Sequence, residues 1–219
     1  MIRGLTVAFG ILASLTANAA VVDRMAVIVG THVVKTSDIQ RELRVSSFLN
    51  RQALDESSPA MHRAAERLID QELVRDDLLK GQYAQPTEKD AAAFLQQLKH
   101  DRFGGSEARF RAELAQHHLT EDQLRRQLLW QLTVLRFIDQ RFRPGVLVTD
   151  EEVASYYREH RAELQRTNPR NNSLEDLTPE IRETLTGERI NQAFEEWLKE
   201  TRGNTRLEYR PQAFNGSTQ

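Results

Sequence analysis

The sequence predicts a mainly α-helical protein: a helical bundle with a small β-hairpin near its amino end and a short strand near its carboxyl end. Three observations carry this prediction. Apolar residues recur at helical spacing over most of residues 37–142, helix-capping residues and glycines punctuate that pattern, and only two short segments favour strands. With 39% apolar and 28% charged residues in 219, the chain can form one compact core or two small ones.

The first nineteen residues have the layout of a secretory signal peptide. Arg3 precedes an apolar run from Leu5 to Leu15, and small residues follow up to Ala19. An uncleaved anchor is the alternative, but eleven helical residues rise only about 16 Å, against a bilayer core of about 30 Å. We therefore expect cleavage after Ala19, export of the chain, and no stable membrane insertion of the mature protein.

The segment from Val21 to Val34 predicts a β-hairpin. Its first half is rich in valine and isoleucine, Gly30-Thr31 can form a two-residue turn with glycine first, and Val33-Val34 resumes the β-branched pattern. A two-stranded hairpin alone is marginally stable in water. The hairpin therefore needs a third strand or a helix face to cover it.

Helical spacing and end signals predict five helices between residues 37 and 142. Their ends are marked by Gly81, by Gly104-Gly105 and by Pro144-Gly145. Each begins at a residue suited to capping free backbone amides, and these starts are Ser37 with Gln40 three residues on, Ser58-Pro59, Thr87, Ser106, and Thr120 with Gln123.

The fifth helix, from Glu121 to about Phe142, is the longest and carries two apolar stripes. One stripe consists of Leu124, Leu128, Leu132, Leu135, Ile138 and Phe142. The second stripe consists of Leu129, Trp130, Val134 and Phe137. A helix that is apolar on two sides needs neighbours on both. The second stripe either packs inside the bundle or lines an open groove for an apolar ligand or peptide.

The carboxyl-terminal third predicts two more helices separated by a linker. A capping box at Thr149 begins a helix that carries Val153, Tyr156 and Tyr157 and fades near Leu164. Residues 165–177 are polar and predict an exposed linker, after which a last helix runs from 178 to Gly203. Residues 206–209 favour an edge strand, and the polar residues 211–219 predict a disordered tail.

Composition and motifs argue against several function classes. The formal charge of -2 lacks the cationic surplus of a nucleic-acid binder, and the absence of cysteine excludes thiol catalysis and thiolate metal sites. His117 and His118 are adjacent, so their side chains diverge by about 100° on a helix and do not readily share a metal. Paired carboxylates such as Glu151-Glu152 suit solvated helix surfaces. We expect no cofactor, no metal and no catalytic residue.

The order of these segments resembles the SurA-type periplasmic chaperones, which belong to the parvulin-type foldases. The resemblance begins at Val21 to Gly30, continues through Val33-Val34 and Thr36 to Ile39, and includes the Leu68-Ile69-Asp70 helix. Val148 to Val153 resembles the junction that leads into a parvulin domain in that family, and Phe194, Trp197 and Leu198 resemble its last helix. Coverage is nearly the whole mature chain, although no single motif is highly specific.

The resemblance implies a chaperone core without the isomerase. Residues 20–164 correspond to the helical domain with its hairpin, residues 165–177 stand where the parvulin domain would be, and residues 178–210 supply a helix and a strand that joins the hairpin. Seventeen residues between Arg161 and Pro179 are too few for another domain.

The implied function is that of an ATP-independent periplasmic holdase. It would bind unfolded outer-membrane or secreted proteins in an apolar groove. The resemblance strengthens the case for partial exposure of the second stripe, while packing in the core stays the preferred interpretation for any one of its residues. The residues expected to contact such clients are Leu129, Trp130, Val134, Phe137, Tyr156 and Tyr157. Two alternatives stay open: a prolyl isomerase or its accessory subunit, and a dedicated interaction protein that can form a homodimer.

Overall fold

The computed structural model describes residues 23–167, 170 and 172–214. The predicted signal peptide lies outside these residues. The elements, in chain order, are β1 (Met25–Val29), β2 (His32–Lys35), α1 (Thr36–Asn50), α2 (Ser58–Lys80), α3 (Glu88–Phe103), α4 (Glu107–Gln116), α5 (Glu121–Phe142), α6 (Asp150–Thr167), α7 (Leu174–Asn204) and β3 (Leu207–Tyr209). Short 3₁₀ turns follow α5 at Arg143–Gly145 and β3 at Pro211–Ala213. The mainly helical fold with a small sheet is confirmed.

The sheet is antiparallel, with strand order β2-β1-β3. Val29 pairs with His32 across the Gly30-Thr31 turn, and Gly30 has the positive φ of 58° that a glycine-first turn requires. On its other edge β1 pairs with β3, Val27 facing Tyr209. The third strand that the hairpin needs therefore comes from the carboxyl end of the chain, as the sequence and the resemblance predict.

Local capping determines most helix starts. The side chains of Ser57, Thr87, Ser106 and Thr120 each accept a hydrogen bond from a backbone amide of the first turn of α2, α3, α4 and α5. The predictions for two helix starts were wrong in detail. Ser57 rather than Ser58 caps α2, and Ser37 does not cap α1. This helix begins at Thr36 because the Asp38 carboxylate accepts from the Lys35 amide at 3.0 Å, whereas the Ser37 hydroxyl donates to Asp23 at 2.6 Å.

The predicted linker 165–177 is partly helical, because residues 165–167 belong to α6 and residues 174–177 belong to α7. Helix α6 continues to Thr167, and α7 begins at Leu174 because Ser173 caps it by accepting from the Asp176 amide at 3.1 Å. Pro179 lies inside α7 rather than at its start. The connection between the two helices is thus reduced to residues 168–173, and the Tyr157 hydroxyl donates to the Asn172 carbonyl within it at 2.7 Å.

The predicted disordered tail was also wrong for residues 211–214. After β3 the chain turns at Pro211–Ala213 and buries Ala213 and Phe214, which are 4% and 1% exposed. This segment is ordered because burial of the large apolar surface of Phe214 offsets the conformational entropy that is lost when a short polar turn is fixed. Residues 215–219 lie outside the described part of the chain.

Three apolar clusters organise the interior of the part of the chain that the structure describes. The first joins the sheet to α1, α2 and the end of α7 and includes Val27, Ile39, Ile69 and Phe214. The second joins α1, α3, α4 and the first half of α5 around Phe48, Phe110 and Leu124. The third lies between α6, α7 and the segment before α6, and its buried members are Val148, Val153, Leu177 and Ile181.

None of the described helices is both long enough and apolar enough to cross a bilayer.

Candidate functional site

An open cleft of about 320 Å³ lies between α1, α2 and α5. Helix α5 places Trp130 in its wall, and Val45 of α1 and Leu68 of α2 supply further apolar surface. The remaining lining is polar or charged and consists of Asp38, Arg41, Glu42, Gln71, Arg75, Gln123, Arg126 and Gln127. The cleft therefore combines a small apolar surface with many hydrogen-bonding groups.

Trp130 is half-buried in this cleft. The guanidinium carbon of Arg75 lies 4.1 Å from the centroid of its ring. A cation over the face of an indole is attracted by the negative charge density of the ring. This contact fixes the tryptophan and leaves the rest of its surface available to a ligand in the cleft.

Charges around the cleft are largely compensated within the protein. Arg41 pairs with Asp38 on α1, and Arg126 pairs with Asp122 on α5. Glu42, which is only 8% exposed, accepts a hydrogen bond from Arg67 of α2 at 2.8 Å. Because the cations are paired, the cleft has no strong field of one sign, and electrostatic attraction would contribute little to ligand selection.

Side-chain amides supply the uncommitted polar groups of the cleft. Gln123 uses its carbonyl oxygen to accept from the Thr120 amide at 2.9 Å, as part of the cap of α5. Gln71 and Gln127 have no side-chain hydrogen bond to any described part of the chain. An amide side chain carries both a donor and an acceptor, the complement of a peptide backbone.

The six residues predicted to contact clients do not lie together. Phe137 is 0% exposed, with ring centroids 5.1 Å from Tyr83 and 5.5 Å from Trp197. It packs in the interior, which was the other interpretation of the second stripe, and it offers no surface to a ligand. Leu129 and Val134 are half-buried and line no part of the cleft.

Tyr156 and Tyr157 lie on α6, away from the cleft. Both pack against the apolar cluster between α6 and α7. The ring of Tyr156 stacks on His160 at 4.0 Å, and burial raises the pKa of its phenol, with a further contribution from Glu188. Of the predicted client contacts, only Trp130 lies in the cleft.

A buried serine and histidine pair needs separate consideration as possible chemistry. Ser47 Oγ lies 2.8 Å from His117 Nδ1, and His117 Nε2 lies 3.7 Å from a Glu113 oxygen. The serine hydroxyl also donates to the Arg44 carbonyl at 2.9 Å, and Ser47 is only 7% exposed. Its proton is thus committed within α1, and the histidine to carboxylate distance is too long for a hydrogen bond. The geometry is not that of an activated nucleophile.

Among the described residues, no group of three or more histidine or acidic side chains is placed to hold a metal ion. The chain matches no family model and no curated protein sequence.

No pattern in the sequence indicated which residues of α1 and α2 line the cleft. Asp38, Gln71 and Arg75 are ordinary polar residues on helix surfaces, and their proximity to Trp130 depends on how three helices pack. Only the aromatic residue on an unusually apolar helix indicated the site.

Proposed function

We propose that this protein is an ATP-independent periplasmic holdase that binds extended segments of unfolded outer-membrane or secreted proteins. The single observation that carries the proposal is the open cleft in which Trp130 lies beside amide side chains and balanced charges. Such a cleft suits a polypeptide of variable sequence, because it requires neither a fixed charge pattern nor a shape-matched small molecule.

The chemistry of the cleft matches that of an extended chain. An aromatic or aliphatic client side chain can contact Trp130 and Leu68, while the amides of Gln71 and Gln127 can hydrogen-bond to the client backbone. The small apolar surface limits affinity. Weak binding with fast release is the behaviour that a carrier needs, because it must give up its client.

The resemblance to SurA-type chaperones supports the same function. In this chain β3, which follows the last helix, completes a sheet with the amino-terminal hairpin. The resemblance implies this arrangement for a chaperone core. The connection between α6 and α7 spans only residues 168–173, where a parvulin domain would be inserted. The proposed holdase therefore acts without that isomerase domain.

The proposal is tested by suppression of aggregation. An unfolded β-barrel outer-membrane protein is diluted from denaturant with and without the processed chain, and light scattering is recorded. We expect protection at a several-fold molar excess of the chaperone. We also expect the Trp130→Ala variant to lose most of this protection, because its aromatic contact surface is removed.

Phe94→Ala is the matched control, because this aromatic residue is 42% exposed on α3 and lies outside the cleft. Unchanged protection by Phe94→Ala together with loss by Trp130→Ala supports the cleft as the site. Absence of protection by the wild-type chain at any excess contradicts the proposal. A prolyl isomerisation assay on a model peptide tests the enzyme alternative. That alternative requires the chain to raise the isomerisation rate above the uncatalysed rate.

A further inference from the structure

Side chains of α5 hold the connection between α2 and α3. This connection, residues 81–87, is called the strap from here on. Gln140 clamps the strap at Ala84, because its side-chain oxygen accepts from the Ala84 amide at 2.9 Å and its side-chain nitrogen donates to the Ala84 carbonyl at 3.1 Å. One turn earlier on α5, Arg136 donates to the Gln85 carbonyl at 3.0 Å. Two side chains of one helix thus satisfy three backbone groups of the strap.

The strap itself has little internal structure. In the part of the chain that the structure describes, residues 82–86 form no hydrogen bond to another backbone group. Within the strap, the Gln85 side chain donates to the Tyr83 carbonyl at 3.3 Å. Ala84 and Gln85 are exposed, whereas Tyr83 is half-buried. Extended peptide ligands are bound in this way, through hydrogen bonds to their main chain and a pocket for an anchoring side chain.

Tyr83 is the anchoring side chain of the strap. Its ring meets Phe137 of α5 with the centroids 5.1 Å apart and an angle of 75° between the planes, an edge-to-face arrangement that aromatic rings favour. Phe137 is 0% exposed in this arrangement. It offers surface to a ligand only when the Tyr83 ring is displaced.

The hydroxyl of Tyr83 is recognised by an ion pair. It accepts a hydrogen bond from Nη1 of Arg141 at 3.0 Å and donates to a carboxylate oxygen of Asp77 at 3.4 Å. Arg141 and Asp77 are themselves 3.0 Å apart. A phenylalanine in the same place would leave both groups without this partner. The site is therefore selective for tyrosine over phenylalanine.

The groups that hold Tyr83 are kept in place by contacts that do not involve the strap. The guanidinium carbon of Arg141 lies 5.4 Å from the ring centroid of Trp197 on α7, in addition to its ion pair with Asp77. The ring of Phe137 lies 5.5 Å from that of Trp197. Removal of Tyr83 would therefore leave a preorganised site.

Gly81 makes room for the Tyr83 ring. A Cβ atom added at Gly81 would overlap that ring. The backbone at Gly81 is extended, with φ of -102° and ψ of 166°, a conformation that any residue adopts. The glycine is thus required for the position of the ring and not for the path of the chain.

We propose that the strap is a ligand bound in cis, and that the same site binds an extended polypeptide segment with a tyrosine when the strap is displaced. The site consists of Asp77, Arg136, Phe137, Gln140 and Arg141. It shares no residue with the cleft around Trp130. It would serve the proposed holdase function, on which it rests only for the identity of its natural ligands, tyrosine-containing segments of clients.

The strap controls access to this site. Because it is joined to the site at both ends, it competes with a free ligand at an effective concentration on the order of mM. A free ligand binds only those molecules in which the strap is displaced, so its apparent Kd rises by the inverse of their fraction. We expect this fraction to be below about one tenth in the wild type.

The test is the binding of a fluorescein-labelled peptide with the sequence of residues 81–87 to the processed chain, measured by fluorescence anisotropy. The Gly81→Ala variant should expel Tyr83 of the strap and leave every group of the site in place. We expect this variant to bind the peptide at least about tenfold more tightly than the wild type does. Gly145→Ala is the matched control, because a Cβ atom there meets nothing within 4 Å. It should bind the peptide as the wild type does.

Two further measurements locate the bound peptide. In the Gly81→Ala background, Gln140→Ala should abolish the gain in affinity, because the clamp on the peptide backbone is lost. A peptide with phenylalanine in place of its tyrosine should bind about three- to tenfold more weakly, because the contacts of the hydroxyl with Arg141 and Asp77 are missing.

Equal affinity of Gly81→Ala and the wild type for the peptide would overturn the proposal, as would a gain that survives Gln140→Ala. If circular dichroism shows that Gly81→Ala is unfolded, Tyr83→Ala replaces it with the same expectations, because it empties the site without adding an atom. Loss of the fold in both variants would show that the strap cannot be displaced, which also contradicts the proposal.

The peptide assay is independent of the aggregation assay. A peptide that fails to bind contradicts the binding of the strap in cis and leaves the cleft around Trp130 as the client site. Absence of protection against aggregation contradicts the holdase function and leaves the affinity of Gly81→Ala for the peptide unaffected.

Discussion

The imidazole of His62 and the ring of Phe214 stack with their centroids 4.0 Å apart and an angle of 9° between their planes. His62 lies in the second turn of α2, whereas Phe214 is the last described residue of the chain. Phe214 is 1% exposed and belongs to the same apolar cluster as the sheet. The carboxyl end therefore closes one end of the core.

Removal of the Phe214 side chain should be severely destabilising. We expect Phe214→Ala to lower the free energy of unfolding by about 3 to 5 kcal/mol, because a buried aromatic ring is replaced by a cavity. Urea denaturation followed by circular dichroism measures the change. Phe94→Ala, at a 42% exposed position, should cost less than about 1 kcal/mol. Equal losses in the two variants would show that residue 214 does not belong to the core.

Replacement of Lys99 and replacement of its two acidic partners should lower the stability of the fold by different amounts. Its ammonium group lies 2.9 Å from Glu107 and 2.9 Å from Glu121, and the residue is 5% exposed. Burial pulls the pKa of Lys99 down, but the hydrogen bonds to Glu121 and Glu107 outweigh it, and the pKa is raised. The lysine therefore stays charged and joins α3, α4 and α5.

We expect Lys99→Met to cost less than about 1 kcal/mol, because the apolar chain fills the same space and both glutamates are half-exposed to water. The double variant Glu107→Gln/Glu121→Gln should cost about 2 kcal/mol, because it leaves a buried ammonium without counter-ions. Denaturant titration at neutral pH measures both. The reverse order of the two losses would contradict this account.

Tyr209 should make the free energy of unfolding depend on pH in the alkaline range. Its hydroxyl donates to Glu66 at 2.7 Å, and burial together with this carboxylate raises the pKa of Tyr209 to about 12. A group whose pKa is higher in the folded state stabilises fully below its unfolded pKa of about 10. That contribution is lost as the pH rises from there through about 12.

The Tyr209→Phe variant should be less stable than the wild type by about 1 kcal/mol at pH 8, a modest value because the residue is 38% exposed. The difference should shrink as the pH passes 10, because only the wild type loses the tyrosine contribution. Denaturation midpoints over this range measure it. A difference that stays constant with pH would contradict the role of the phenol proton.

Trp130 should report directly on client binding. Fluorescence of a Trp197→Phe variant comes from Trp130 alone, and addition of an unfolded, tryptophan-free polypeptide should shift its emission to shorter wavelength as water is displaced from the cleft. A Trp130→Phe variant, which retains Trp197, should show no shift. A shift in the second variant, but not in the first, would place the contact outside the cleft.

The parts of the fold that local sequence determines were predictable. Glycine at the hairpin turn and the capping residues Thr87, Ser106 and Thr120 act through contacts with residues only a few positions away. The start of α1 was misassigned because Ser37 was assumed to cap it. Its hydroxyl instead bonds to Asp23, fourteen residues earlier, a contact that no local pattern reveals.

The orientation of α5 could not be predicted. Both of its apolar stripes are plausible core faces, but the structure buries Phe137 and leaves Leu135 63% exposed. The choice depends on Trp197 of α7, whose ring packs against Phe137 from a distant part of the sequence. The cleft depends on the same helix packing, so only Trp130 among its lining residues was identified from the sequence.

Because β1 is the central strand of the sheet, the sheet is complete only after both of its neighbouring strands have been synthesised. One edge of β1 is covered at once by β2, but the other waits for β3 at residues 207–209, close to the last residues that the structure describes. A chain that emerges amino end first therefore keeps an open strand edge until residues 207–209 are present. A prematurely terminated chain would keep that edge permanently, which makes it prone to aggregation and a ready target for proteases.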